Sequence, residues 1–152
     1  MREHASPQDS AKLLRKALKA AFPGVRFSCR MSRGTAWGNY HVDWTDGPSE
    51  SAVNKVTAPF QGQSFDGMDD STHYHDKPLG IAKDGTPLLS GIGLLICQRS
   101  ISAERMAEAA AELRSDGYAG CDLNMACAAR MVANGAVTHV AAKDHGLRRV
   151  TA

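Results

Sequence analysis

The stretch Val42-Asp43-Trp44-Thr45-Asp46-Gly47-Pro48-Ser49 marks the point where a predicted strand turns into a predicted helix. Asp46 is suited to accept hydrogen bonds from the free N–H groups of the first helical turn, and Gly47 tolerates a positive φ. Pro48 fits a helix start. Trp44, directly before the turn, is expected to be a large apolar plug beneath the helix, with ligand stacking as the alternative. The remaining elements extend from this turn in both directions.

A helix is predicted upstream, from an N-cap at Ser10 to a stop at Pro23-Gly24. Leu14 and Leu18 belong to its apolar stripe, which recurs at helical spacing. The opposite face carries four cations, Lys12, Arg15, Lys16 and Lys19. A solvated helix surface is the simpler interpretation of this face, and binding of an anionic partner is the alternative.

Two strands with a two-residue period follow, joined by a loop at Ser32-Arg33-Gly34. The second strand is predicted over residues 36–44. If the two strands pair as a hairpin, their open face carries Arg26, Arg30, Trp37 and His41. Cations and aromatic rings on one face can hold phosphates and stack bases, and Arg33 in the loop adds a further cation. An ordinary solvated sheet face is the simpler interpretation, and such binding is the alternative.

The order helix, strand, strand, helix predicts an α+β fold in which helices pack on one face of a small antiparallel sheet. Downstream, the sequence predicts a buried strand over residues 92–97, a helix after Ser102, a short helix from Asp122 and a last strand over residues 136–142. Phe65 and Met68, in the connection between the halves, are expected to tuck inward. Residues 1–9 are expected to form a flexible arm, and residues 10–152 a single α+β domain.

The composition points to a globular protein. The chain has 152 residues and a formal net charge of +2, too small to diagnose a nucleic-acid binder. Its longest apolar run, residues 92–97, is far shorter than the roughly 20 residues needed to span a bilayer. The first four residues lack the apolar region of a secretion signal. We therefore expect a cytoplasmic protein with no membrane partner.

No catalytic, metal or cofactor site is expected from the spacing of reactive residues. The four cysteines have no close paired spacing and are expected to be buried free thiols. His73 and His75 are the nearest approach to a metal-binding pattern, without clustered cysteines. An enzyme remains an alternative, if His41, Asp43, His73, His75 and Arg99 converge in space.

Five segments carry a family resemblance: residues 17–28 (Ala-Leu-Lys-Ala-Ala-Phe-Pro-Gly-Val-Arg-Phe-Ser), residues 42–48, Pro59-Phe60, Phe65-Asp66-Gly67-Met68 and residues 96–102. Together they resemble large polyvalent protein-associated domain family twenty-nine over about residues 11–115. The distinctive positions lie in two turns: Trp44, Asp46, Gly47, Pro48, Phe65, Asp66, Gly67 and Met68. Residues 116–152 form a C-terminal addition to the part that resembles the family.

The resemblance implies a module carried by phages, plasmids and other mobile elements, without an established reaction. The leading hypothesis is therefore a non-enzymatic interaction module that binds a host or element-encoded protein, or nucleic acid, and counters host defence of the restriction or CRISPR type. Its contacts are expected to be the helix cations and the open-face residues named above. The alternatives are a nucleic-acid-processing enzyme or accessory, and a small structural protein that dimerises through its alanine-rich helices.

Overall fold

The computed structural model describes residues 3–150, which contain five α-helices and a series of short strands. The chain divides after Arg99 into an N-terminal unit and a C-terminal unit. The N-terminal unit contains, in chain order, β1 (Glu3–His4), α1 (Pro7–Ala21), β2 (Ser28–Met31), β3 (Tyr40–Thr45), α2 (Glu50–Thr57), β4 (Gln63–Asp66), β5 (Ser71–Tyr74), β6 (Pro78–Ile81), β7 (Pro87–Leu89) and β8 (Leu95–Ser100). Short 3-10 helices cover Gly34–Ala36 and Ala58–Phe60.

Helix α1 begins earlier than the sequence suggested. Ser6, not Ser10, is its N-cap, because the Ser6 Oγ accepts the Asp9 N–H at 3.1 Å and Pro7 occupies the first turn. Ser10 is instead buried, and its Oγ accepts the Gly91 N–H at 2.9 Å. Residues 3–9, expected to be a flexible arm, contain β1 and the first turn of α1.

Strand β3 is the central strand of the main sheet, whose order is β2-β3-β8. Strands β2 and β3 are antiparallel, with Arg30 opposite His41. The Tyr40 N–H donates to the Leu94 carbonyl just before β8, and Arg99 near the end of β8 donates to Asp46 just after β3. Strands β3 and β8 therefore run in the same direction, so the sheet is mixed.

The core of the N-terminal unit lies between this sheet and helices α1 and α2. The alternation of β3 buries Tyr40, Val42 and Trp44, which belong to the same apolar cluster as Leu14 of α1 and Val53 of α2. Two helices thus cover one face of the sheet. This arrangement confirms the predicted α+β fold class, including the helix, strand, strand, helix order of its core.

The turn after β3 connects this strand to α2 and also contacts β8 through Arg99. Trp44 is only 3% exposed, and its Nε1–H donates to the Pro48 carbonyl at 2.9 Å, so it is the predicted plug. Asp46 and Gly47 both have positive φ, 55° and 63°. Their carbonyls accept from the Arg99 guanidinium at 3.2 Å each. The helix cap is Ser49 and not Asp46, because Ser49 Oγ accepts from the first turn of α2.

Two smaller sheets complete the N-terminal unit. Strand β1 pairs in parallel with β7, which pairs antiparallel with β6. Strands β4 and β5 form a separate hairpin. Its Phe65 and Met68 are 56% and 96% exposed, so the prediction that they tuck inward is wrong. Phe65 lies on β4 and Met68 in the turn that follows, and a two-stranded hairpin alone has no core in which to bury them.

The prediction of a buried strand over residues 92–97 is correct only in part. Ile92 is buried, but β8 starts at Leu95 and continues to Ser100, and its alternation exposes Ile96. The residues before Leu95 are held instead by loop contacts, such as the Gly93 N–H donating to the Gly38 carbonyl at 2.8 Å.

The C-terminal unit consists of α3 (Ala103–Ser115), β9 (Tyr118–Ala119), α4 (Asp122–Ala133), α5 (Thr138–Asp144) and β10 (Arg148–Arg149). Strands β9 and β10 pair antiparallel. The predicted cap of α3 is confirmed, since Ser102 Oγ accepts the Arg105 N–H at 3.1 Å, and α4 begins at Asp122 as predicted.

The strand predicted over residues 136–142 is wrong, because α5 occupies that region. The β-branched residues suggested a strand, but Ala141 and Ala142 are fully buried in the core of the C-terminal unit. Small side chains let a short helix pack closely there. Alanines of α3 and α4, such as Ala109 and Ala128, are buried in the same core. These alanines stabilise the unit itself, while the suggested homodimer stays a prediction, as does a single domain over residues 10–152.

Candidate anion-binding site

The candidate site is a cleft between α1 and the free edge of the main sheet, and we call it the α1–β2 cleft. The order β2-β3-β8 leaves β2 at the edge. Gly24, with a φ of 88°, turns the chain from α1 back toward β2. The cleft has a volume of about 470 Å³ and is lined by Arg15, Leu18, Lys19, Gly24, Val25, Arg26, Phe27 and Cys29.

The cleft is cationic. Arg15, Lys19 and Arg26 contribute three positive charges to its lining, and no acidic residue lines it. All three side chains are exposed. Within residues 3–150, none of the three forms an ion pair with a carboxylate. Uncompensated cations around a concave surface raise the local concentration of anions.

The backbone at the cleft edge is available for pairing. The Ser32 N–H donates to the Asn39 carbonyl at 2.9 Å across the hairpin. Arg30, two residues earlier, therefore also turns its N–H and C=O groups toward β3, because successive residues of a strand alternate. Cys29 and Met31 turn theirs outward. The Arg15 Nη2 atom donates to the Cys29 carbonyl at 3.3 Å, consistent with this alternation.

A buried hydroxyl lies beside the cleft. The Tyr40 Oη atom has no hydrogen-bond partner among the described residues. Burial raises the pKa of Tyr40, and the nearby Cys29 raises it further while Arg15 opposes the shift. The Arg15 guanidinium lies 5.8 Å from the centroid of the Tyr40 ring. Because Arg15 and Cys29 both line the cleft, an unused donor lies next to its cationic wall.

The open face of the hairpin is poorer in free cations than predicted. Arg30 is paired with Asp43 at 2.6 Å, and His41 shares a hydrogen bond with Ser32 at 3.1 Å. Trp37 does not belong to this face, because β3 starts only at Tyr40 and Trp37 follows a 3-10 helix in the loop. Arg26 precedes β2 and lines the α1–β2 cleft instead.

The other predicted contact residues lie around these features. Lys12 is exposed and paired with Asp9 at 2.9 Å, so part of its charge is compensated locally. Lys16 is exposed on α1, one residue after Arg15. Arg33 and Trp37 are exposed in the loop between β2 and β3, and Trp37 is 60% exposed. Their roles in binding stay predictions.

The residues suggested for an enzyme have separate local partners. His41 and Asp43 lie on the open face of the sheet, paired with Ser32 and Arg30. Arg99 contacts the turn after β3, and its backbone N–H donates to Glu50 at 3.2 Å. His73 belongs to the β4–β5 hairpin, where its ring contacts Ser71 at 2.9 Å. No shared catalytic arrangement is formed by the contacts of these described residues.

One group of potential metal-ligating side chains was not predicted from the sequence. Asp66, Asp69 and His73 place potential metal-ligand atoms within 4.8 Å of one another at the exposed tip of the β4–β5 hairpin. Hydrogen bonds from Ser71 lower the pKa of Asp69, so this carboxyl is ionised at neutral pH. The sequence signal is the close spacing of two acids and a histidine within residues 66–73, which brings their ligand atoms together only because the hairpin folds back. Exposed carboxylates adopt such groupings without a metal as well, so the grouping alone assigns no ion.

Most of these features fall in the part of the chain that a family model matches. The family model described as large polyvalent protein associated domain 29 matches residues 5–107, more than two thirds of the chain. The chain belongs to the large polyvalent protein associated domain 29 family. The match includes the α1–β2 cleft, the Trp44 turn and the β4–β5 hairpin of this domain, and confirms the resemblance seen in the sequence.

Two further comparisons found no match. No curated protein and no solved structure matches the chain significantly. The described helices also include none that is long and apolar enough to cross a bilayer.

Proposed function

We propose that this domain is a non-enzymatic interaction module of a mobile genetic element, which binds an anionic partner through the α1–β2 cleft. The observation that carries the proposal is the concentration of Arg15, Lys19 and Arg26 around one cleft that no acidic residue lines. The partner is a host or element-encoded protein, or nucleic acid. Membership of a polyvalent-protein-associated family supports the mobile-element context.

The cleft supports binding better than the open sheet face does. An anionic ligand on the open face would have to compete with Asp43 for Arg30, which form an ion pair at 2.6 Å. The cleft cations need no such exchange, since they have no carboxylate partner among the described residues. Apolar side chains, including Leu18 and Phe27, line the cleft between them and add contact area.

Binding is tested with two labelled anionic probes, a 20-nucleotide oligothymidylate and a glutamate homopolymer of similar length. The test variant removes the cleft charges, with Arg15→Gln, Lys19→Gln and Arg26→Gln combined. A matched control removes three exposed cations elsewhere in the same unit: Lys55→Gln, Lys77→Gln and Lys83→Gln. Fluorescence anisotropy measures the affinity of each protein for each probe.

We expect the wild type and the control to bind at least one probe, and the cleft variant to bind it at least ten-fold more weakly. Three phosphate contacts with a single strand predict a slope of log K against log salt of about −2, or about a 16-fold loss between 50 and 200 mM salt. Equal affinity of the cleft variant and wild type would refute the cleft as the site. Failure of the wild type to bind either probe would refute an anionic partner.

The anti-defence role is tested separately in cells. Expression of the domain in hosts with an active restriction system or an active CRISPR system is expected to raise the plating efficiency of a targeted phage in one of them. The cleft variant provides the control, because it should lose this protection. Unchanged plating in both hosts would contradict a role against these two defences.

A further inference from the structure

The free edge of β2 has the properties of a docking edge for an added strand. Cys29 and Met31 direct their backbone groups away from β3, and β2 is the last strand of its sheet. Among residues 3–150, the hydrogen bond that covers this edge is long, at 3.3 Å from the Arg15 side chain to the Cys29 carbonyl. An edge that is not protected by a bulge, a proline or a buried charge readily pairs with an extended peptide.

The charges beside this edge select an acidic sequence. Arg15, Lys19 and Arg26 line the cleft that borders β2, without an acid among the lining residues. Side chains of an added strand alternate between two faces. The face of such a strand that is turned toward α1 would carry the acidic side chains, which would meet these cations.

We propose that the partner of the α1–β2 cleft is an extended acidic peptide segment of another protein, which pairs with the backbone of Cys29 and Met31 as an additional strand. This inference rests on the proposed function and names the class of its partner. A peptide fits better than a nucleic acid for two reasons. Nucleic acid has no backbone that continues a β-ladder, and the exposed Trp37, which would stack a base, does not line the cleft.

The test uses a blocked ten-residue peptide in which Glu and Val alternate. Its control alternates Glu and Pro, which keeps the charge but removes every second N–H group and fixes φ near about −65° at each Pro, away from the β-ladder value. We expect the Glu-Val peptide to bind at least ten-fold more tightly than the Glu-Pro peptide, and more tightly than the oligothymidylate. Binding of both peptides should weaken in the variant that lacks the three cleft cations.

Amide hydrogen exchange locates the added strand. Binding of the Glu-Val peptide should slow exchange at Cys29 and Met31 at least ten-fold. Arg30 is the internal control, because its N–H already faces β3 and should change little. The exchange experiment is carried out on the full chain by nuclear magnetic resonance.

The outcomes separate this inference from the proposed function. Equal binding of the two peptides, both dependent on the cleft cations, would overturn strand addition and leave an anion-binding module. Tighter binding of the oligothymidylate would overturn the peptide in favour of nucleic acid. Tight peptide binding without protection at Cys29 and Met31 would also overturn it. Binding that does not depend on the cleft cations would refute the proposed function itself.

Discussion

Gly91 is the position where a single added methyl group should destabilise the N-terminal unit most clearly. A Cβ atom there would lie 2.0 Å from the Ala5 carbonyl oxygen and 2.9 Å from the Pro7 nitrogen. Both are backbone atoms, so no side-chain rotation relieves the overlap. The same junction is closed by the 2.9 Å bonds from Gly91 N–H to Ser10 Oγ and from Ala5 N–H to the Leu89 carbonyl.

Relief of the overlap in Gly91→Ala requires the connection between β1 and α1 to move away. Overpacking of this kind costs about 1–3 kcal/mol, and weakening the two hydrogen bonds adds about 1 kcal/mol each. We therefore expect the free energy of unfolding to fall by about 3–5 kcal/mol. With a urea dependence of about 1.5 kcal/mol per molar, the unfolding midpoint should fall by about 2 M or more.

Urea unfolding followed by circular dichroism measures this loss. Gly80→Ala is the matched control, because a Cβ there would meet nothing within 4 Å. This control should change the free energy of unfolding by no more than about 0.5 kcal/mol. Similar losses in the two variants would refute the claim that close backbone contact at Gly91 holds β1 and α1 in place.

Three further predictions concern single side chains. Tyr40→Phe should leave the free energy of unfolding unchanged or raise it slightly, because the removed hydroxyl has no partner among the described residues. A fall in the free energy of unfolding by more than about 1 kcal/mol would contradict this prediction. Alkylation with iodoacetamide at neutral pH should modify Cys121 before Cys29, because Cys121 is exposed whereas burial raises the pKa of the Cys29 thiol. Mass spectrometry of the modified peptides measures this order, and the reverse order would contradict the prediction. The pKa of Asp9 is lowered in the folded protein, first by the hydrogen bond from Lys12 and then by that from Ser6. The Asp9 carboxylate therefore stabilises the fold above the unfolded pKa, and this stabilisation is lost as the pH falls through the folded pKa. Asp9→Asn should therefore lower the thermal midpoint at pH 7 but not in acid, and an equal difference at both pH values would rule out this origin.

Local patterns predicted the α1-β2-β3-α2 core well. The alternation around Val42 and the helical stripe through Leu14 and Leu18 each reflect burial on one face, which sequence spacing records directly. The same reasoning identified Trp44 as a plug, because a large ring beside a helix start has few other places to go.

The errors arose where tertiary packing overrides local preference. Residues 138–144 carry β-branched side chains typical of a strand, yet Ala141 and Ala142 fit the core of the C-terminal unit only as a helix. Ser10 has the chemistry of a cap, but its hydroxyl bonds to Gly91, 81 residues away in sequence. Such long-range contacts leave no local pattern.

The sequence named residues of the candidate site, but it did not predict how they are arranged in space. Arg15, Lys19 and Arg26 were named as candidate contacts, while their meeting at one cleft depends on β2 being an edge strand. The ion pair between Arg30 and Asp43 follows from a hairpin register that the sequence only approximates. Asp66, Asp69 and His73 were missed as a group, because their proximity depends on how the β4–β5 turn folds back.

The exposed tip of the β4–β5 hairpin has a practical consequence for engineering this domain. Residues 67–70 are all exposed, and the Asp66–Ser71 pair closes the hairpin beneath them. Chain segments tolerate insertion best where few buried groups depend on them. A peptide epitope or a fluorescent reporter placed after Met68 would therefore give a handle for capturing the domain with its partner, while leaving the α1–β2 cleft unmodified.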